Sequence, residues 1–245
     1  VFNLAQRIIN KIPKNNRVQK EWRPREERGS VTEHYDISEL QNNLKTGEWL
    51  ILGRDKWRLN ELEEFLKDHN IYYERAKKNN PMKDKYAAID LYENKLKKGK
   101  ALSYEECHEI KKKMLKNEWK PSLFKAMVKN KFYTMDMLKS DFGLNTDLPW
   151  QAAFTRMGKN DTDKINELIK RGEDLKNGAR IKLATIHGVK GNERDNVVLS
   201  FKLSKACKDA YITNPDDEHR VMYTGTTRTK NNLHIILGGE GDYDK

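Results

Sequence analysis

Ala184-Thr-Ile-His-Gly-Val-Lys-Gly-Asn-Glu-Arg-Asp-Asn-Val-Val-Leu199 is the stretch on which the fold of this 245-residue chain turns. It leads from a strand-like segment, Arg180 to Thr185, through a loop with two glycines into a second strand-like segment, Asn196 to Phe201. Gly188 and Gly191 allow the backbone to approach a ligand closely. His187, Lys190 and Glu193 place polar groups past the carboxyl end of a strand, where open α/β sheets bind their ligands. By spacing alone, an ordinary turn with solvated charges fits the same residues.

Outward from this stretch, strand and helix signals alternate on both sides. Towards the C-terminus the sequence predicts a helix near Asp217 to Thr224 and a strand at Leu233 to Leu237. Residues 1 to 75 predict a helix to about Ile12, a strand near Ser30 to Tyr35 and a helix near Ser38 to Leu44. Strand Trp49 to Leu52, helix Leu59 to His69 and strand Ile71 to Tyr73 follow. Such alternation predicts an α/β fold with βαβ units on a parallel sheet.

From about Asn79 to Gly178 the alternation stops, and Lys-rich helical segments such as Lys85 to Lys97 and Ser103 to Lys116 take over. Ser103 and Glu106 have the spacing of a capping box. Each α/β part is too short for a full sheet. Residues 1–78 and 179–245 are therefore predicted to form one discontinuous domain, with residues 79–178 as a mainly helical insertion. Trp49 to Leu52, Lys182 to Thr185 and Asn196 to Leu199 are expected in one sheet.

With 48 Lys and Arg against 37 Asp and Glu, the net charge of +11 suits a polyanionic partner such as nucleic acid. A merely soluble basic surface fits that charge equally well. The 36% hydrophobic content and regular apolar periodicity exclude a disordered chain. No apolar run approaches the roughly 20 residues that cross a bilayer, so no membrane partner is expected. Cys107 and Cys207 stand far apart with no CxxC and no His cluster, which supports neither zinc nor a disulfide framework and fits reduced thiols in a cytoplasm, bacterial or that of a virus's host. The chain opens without Met inside an amphipathic segment (Leu4, Ile8, Ile9), as expected of a piece of a longer protein.

Two further stretches carry chemistry. In Glu218-His-Arg-Val-Met-Tyr-Thr-Gly-Thr-Thr-Arg228-Thr-Lys a helix ends near Gly225 and presents Arg228, whose five-donor fork suits a transferring phosphoryl group. Leu50-Ile-Leu-Gly-Arg54 places another Arg just past an apolar strand. Single arginines are also common as plain surface charges.

In order along the chain, the three stretches resemble motifs IV, V and VI of the UvrD/Rep/PcrA superfamily 1 helicases. Motif V is met by Thr185, His187, Lys190, Gly191 and Glu193, and motif VI by Glu218, Arg220, Tyr223, Thr227 and Arg228. The resemblance implies a RecA-like sheet of the P-loop NTPase type, forming the second motor domain, with an accessory domain inserted. It implies that Arg54 and Arg228 reach the γ-phosphate of ATP from across a domain cleft, and that Gly191 and Glu193 sit near the ribose. Thr185, His187 and Lys190 are implied to face single-stranded DNA. Gly53 stands where the family usually has a base-stacking Tyr, and Asn192 and Arg194 replace its usual Leu and Phe.

A motor of this class needs a G-x-x-x-x-G-K-[ST] loop and an acidic magnesium ligand. The Gly-Lys pairs at 99–100 and 158–159 lack the following Ser or Thr, and Asn94 and Ala153 stand where the first glycine belongs. Asp90 lies in the predicted insertion and is expected to be a solvated helix residue. ATP and Mg2+ are thus expected to bind the full-length protein, with the phosphate loop and Mg2+ ligands outside this chain and no metal site within it. The partners implied are single-stranded or tailed duplex DNA and the N-terminal RecA-like domain of the same parent. The implied activity is ATP-driven 3′-to-5′ translocation and duplex unwinding, with this piece inactive alone. The competing reading is a non-catalytic nucleic-acid-binding or regulatory module. A nuclease-linked subunit finds no support, because no acidic cluster has nuclease-like spacing.

Overall fold

A computed structural model describes residues 1–18, 26, 29–78, 80–189 and 191–244. The chain divides into two compact units, Val1–Asn79 with Ala179–Lys245, and Asn80–Gly178.

The first unit begins with α1 (Phe2–Asn10), β1 (Ser30–His34), β2 (Trp49–Gly53), α2 (Lys56–Asp68) and β3 (Tyr73–Arg75). The second carries α3 (Pro81–Ile89), which runs on as a π-helical turn over Asp90–Leu96, then β4 (Leu102–Ser103), α4 (Tyr104–Lys111), α5 (Pro121–Phe124), β5 (Phe132–Tyr133), α6 (Met135–Ser140), α7 (Trp150–Ala153) and α8 (Lys159–Lys170). The first unit then resumes with β6 (Ile181–Thr185), β7 (Arg194–Ser200), α9 (Lys205–Thr213), α10 (Pro215–Thr226) and β8 (Thr229–Ile236).

Six strands form one parallel sheet in the order β1-β8-β7-β2-β6-β3. Its middle strand, Trp49-Leu-Ile-Leu-Gly53, is buried at every position, as a strand covered on both faces must be. Leu52 pairs with Ala184 and Ile51 with Val198, so the three expected strands do share a sheet. Side-chain alternation splits the core. Leu50 and Leu52 join Leu4, Ile8, Val197, Leu199 and Met222 on one face, and Trp49 and Ile51 join Leu59, Leu62, Leu66 and Val198 on the other. This is the mixed α/β architecture of a RecA-like domain.

Local chemistry explains where elements depart from expectation. The helix expected near Ser38 to Leu44 is two 3-10 turns, Ile37–Leu40 and Asn43–Lys45; they still bury Ile37, Leu40 and Leu44, and Asn42 accepts from Lys45 Nζ (2.8 Å) instead of extending a helix. Strand β3 starts two residues late because α2 closes in a Schellman motif. Asn70 sits at φ 51°, Ile71 N donates to Leu66 O (2.8 Å) and Asn70 N to Lys67 O (3.0 Å), so Ile71 cannot begin the ladder.

In the second unit the capping box forms as the spacing predicted, with Glu106 N donating to Ser103 Oγ (3.2 Å) and Ser103 N to Glu106 Oε2 (2.9 Å). The helix it opens ends at Lys111 rather than Lys116. An antiparallel pair, Leu102 with Tyr133 and Ser103 with Phe132, lies in a segment whose sequence shows no strand alternation. Helix α9 was also not foreseen from sequence. Among the described residues no helix is long and apolar enough to cross a membrane.

Candidate functional site

Because every strand of the sheet is parallel, the sheet has a carboxyl edge and an amino edge, and the candidate residues divide between them. Arg54 follows β2, Thr185 ends β6, and His187 lies in the 3-10 turn Ile186–Val189 just beyond, all at the carboxyl edge. Thr185 Oγ1 accepts from Gly188 N (3.2 Å) and fixes that turn, while His187 is exposed. Lys190 lies outside the described residues.

Glu193 does not stay with His187, contrary to the linear reading of the loop. Since β7 runs parallel to β6, residues 186–193 must travel back across the sheet, and Gly191 and Glu193 arrive at the amino edge, before β7. There Arg194 N donates to Arg228 O (3.1 Å), which joins the start of β7 to the residue just before β8. Gly191 takes φ +84°, with nothing within 4 Å of where a Cβ would stand. The Glu193 carboxylate makes no hydrogen bond or ion pair among the described residues.

Arg228 is half-buried, and its Nε donates to Thr224 O (3.2 Å) at the end of α10. Its terminal nitrogens meet no acceptor, and it has no carboxylate partner, among the described residues. Gly225 sets the depth of this helix end. A Cβ there would stand 2.9 Å from Leu199 Cδ1, so a larger residue would require the Leu199 side chain to shift for α10 to lie this close to β7.

Arg54 is held quite differently. Its Nε donates to both oxygens of Glu218 (2.8 and 2.9 Å), and the two side chains are 20% and 2% exposed. Burial pushes the Glu218 carboxyl above its ordinary range, against the pull of Arg54 and the His187 charge. Glu218 lies in the first turn of α10 and Arg228 just past its last, about 15 Å apart along the axis. The two arginines expected on one phosphate are thus held at opposite edges of this unit. Arg220, another motif VI residue, is tied to Asp217 (2.7 Å) and to Asn16 O (2.7 Å).

Gly53 sits tightly against α2. A Cβ would meet Leu59 Cδ2 at 3.2 Å and Leu59 N at 3.3 Å, because α2 packs directly on the end of β2. Its N-cap Asp55 accepts from Arg58 N (2.9 Å) and from Cys207 Sγ (3.3 Å). Four residues after Gly53, Trp57 stands 51% exposed at the same edge, a residue the motif reading passed over. Its sequence signal is its place on α2, on the polar face with Glu61, Glu64 and Asp68 rather than with Leu59, Leu62 and Leu66.

A parallel six-stranded sheet covered on both faces is the architecture of a RecA-like helicase domain. The family model of the UvrD-like helicase C-terminal domain matches residues 74–239, more than half the chain. The chain belongs to that family, as the C-terminal part of a UvrD-like helicase. The match includes both motif V and motif VI and leaves Arg54 outside it. No curated protein matches the chain.

Proposed function

We propose that this chain is the second motor domain, with its inserted domain, of an ATP-dependent DNA helicase that moves 3′-to-5′ on single-stranded DNA and unwinds duplex. The direction is carried by the family resemblance. The N-terminal RecA-like domain of the same parent supplies the phosphate loop, the Mg2+ ligands and the catalytic base. Among the described residues no three His, Cys, Asp or Glu converge to hold a metal ion, so no step is assigned to such a group here.

The observation that carries this reading is Arg228, with no carboxylate partner among the described residues, at the same edge as Glu193, whose carboxylate is also unpaired among them. When the motor halves close, Arg228 donates to γ-phosphate oxygens as charge builds on them. A guanidinium can hold two oxygens at once. Glu193 accepts from the ribose hydroxyls, and Gly191 allows backbone approach. Thr185, His187 and Lys190 face the single strand, and Arg54 holds Glu218 and thereby the start of α10 against the carboxyl edge.

The test is ATP hydrolysis by this chain alone and joined to the preceding motor half. The expected result is no turnover alone and DNA-stimulated turnover when joined. Turnover by this chain alone sinks the division of labour. A joined protein that binds DNA but hydrolyses nothing leaves the non-catalytic module as the function.

A further inference from the structure

Trp57 is the exception among its kind. The other described tryptophans, Trp49, Trp119 and Trp150, are 4%, 0% and 5% exposed, whereas Trp57 leaves half of a large apolar ring in solvent. It pairs with no other ring and makes no hydrogen bond through its side chain among the described residues. No core packing explains its position, since α2 buries Leu59, Leu62 and Leu66.

Lys56 precedes it and Glu61 lies one turn on along its face, while Lys202 and Lys205 follow the carboxyl end of β7 at the same edge, with Asp36 facing Lys202. Arg58 Nε and Lys202 N both donate to Ser200 Oγ (2.7 and 3.2 Å), which locks this end of β7 against the first turn of α2. Lys56, Lys202 and Lys205 form no ion pair among the described residues. The nearby Asp55 carboxylate is engaged by Arg58 N and Cys207, and Glu61, Glu64 and Asp68 lie one or more turns further along α2.

We propose that Trp57 is the base-stacking platform of the carboxyl edge, on which one base of a single strand rests while Lys56, Lys202 and Lys205 hold the flanking phosphates. Stacking accepts any base face and phosphate contacts carry no sequence, so the site takes single-stranded DNA without sequence preference. The proposal rests on the reading that this edge faces the single strand.

The test titrates the full chain with a labelled oligothymidylate and with a strand of abasic sites of the same length. Trp57→Ala is expected to weaken binding to oligothymidylate about tenfold or more, the loss typical of one stacked base, and Trp57→Phe to keep most of it. The slope of log affinity against log salt stays unchanged, because no phosphate contact is lost. On the abasic strand the wild-type and Trp57→Ala chains bind alike. Equal loss on both strands overturns the stacking role. So does unchanged binding by Trp57→Ala when Lys202→Ala with Lys205→Ala weakens it, and that result leaves the DNA-facing edge standing. A chain that binds no oligonucleotide overturns the edge reading and the proposal together.

Discussion

Arg54 and Arg228 are the same residue type in the same sheet, one at each edge, and their surroundings differ in kind. Arg54 is paired internally through its Nε, although its terminal nitrogens, like those of Arg228, meet no acceptor among the described residues. Its Nε grips both oxygens of a buried glutamate, and the pair fixes the first turn of α10. Arg228 is held by one bond to a helix carbonyl and keeps its terminal nitrogens unengaged among the described residues. What differs is the carboxylate: Arg54 carries a buried one, Glu218, and Arg228 has none among the described residues, which is why the proposed phosphate contact is given to Arg228.

The largest effect expected from this contrast is Arg228→Lys in the protein joined to its first motor domain. ATP turnover should fall about 10³-fold or more, with single-strand binding nearly intact, because lysine keeps the charge and loses the planar fork. Turnover above about a tenth of wild type, a difference of about 1.4 kcal/mol, makes Arg228 structural and erases the contrast.

Arg54→Met should act on stability instead. It strands the Glu218 carboxyl among apolar neighbours, at a cost of about 3 kcal/mol by urea denaturation, and adding Glu218→Gln should recover most of it. The sharper comparison is Arg54→Lys, which should change turnover in the joined protein less than tenfold. A loss as deep as that of Arg228→Lys would place both arginines on one phosphate after all.

The smallest effect lies away from both arginines, where β1 meets β8. His34 Nε2 and His234 Nδ1 face each other at 3.0 Å, with Glu39 on the far side of His34 and the Trp49 ring over His234. Burial, then the His34 charge, lowers the His234 pKa. Below the ordinary imidazole value the unfolded chain binds the proton that the folded one refuses, so stability is whole above about pH 6.5 and drains as pH falls. The denaturation midpoint should drop between pH 7.5 and 5.5. His219, also lowered chiefly by burial, adds to the drop with the same sign, so His234→Gln should remove only part of it. An unchanged slope in His234→Gln refutes the role.

Much of this was legible in the sequence. Strand and helix order and the place where the insertion interrupts the alternation follow from apolar periodicity, which fixes buried faces. The site residues were legible as motifs and not as places. Nothing in Thr185 to Glu193 says that the chain crosses the sheet between them, since that depends on β2 lying between β6 and β7. The partnership of Arg54 with Glu218 spans 164 positions and has no local signature. Trp57 was hidden because a tryptophan reads as core until the faces of α2 are known.

The connection from Thr185 to Glu193 also works as a tie rod. It starts where the single strand is proposed to lie, ends where the ribose is proposed to bind, and is pinned midway by Ile186 and Val189, 1% and 2% exposed in the core. Its first half, Ile186–Val189, is a 3-10 turn braced by Thr185 Oγ1. A tug of an ångström at Gly191 must then either strain packed side chains or arrive at Thr185, and packed interiors yield poorly to strain. Motion entering from either edge therefore meets the packed core at Ile186 and Val189 before it can pass to the other.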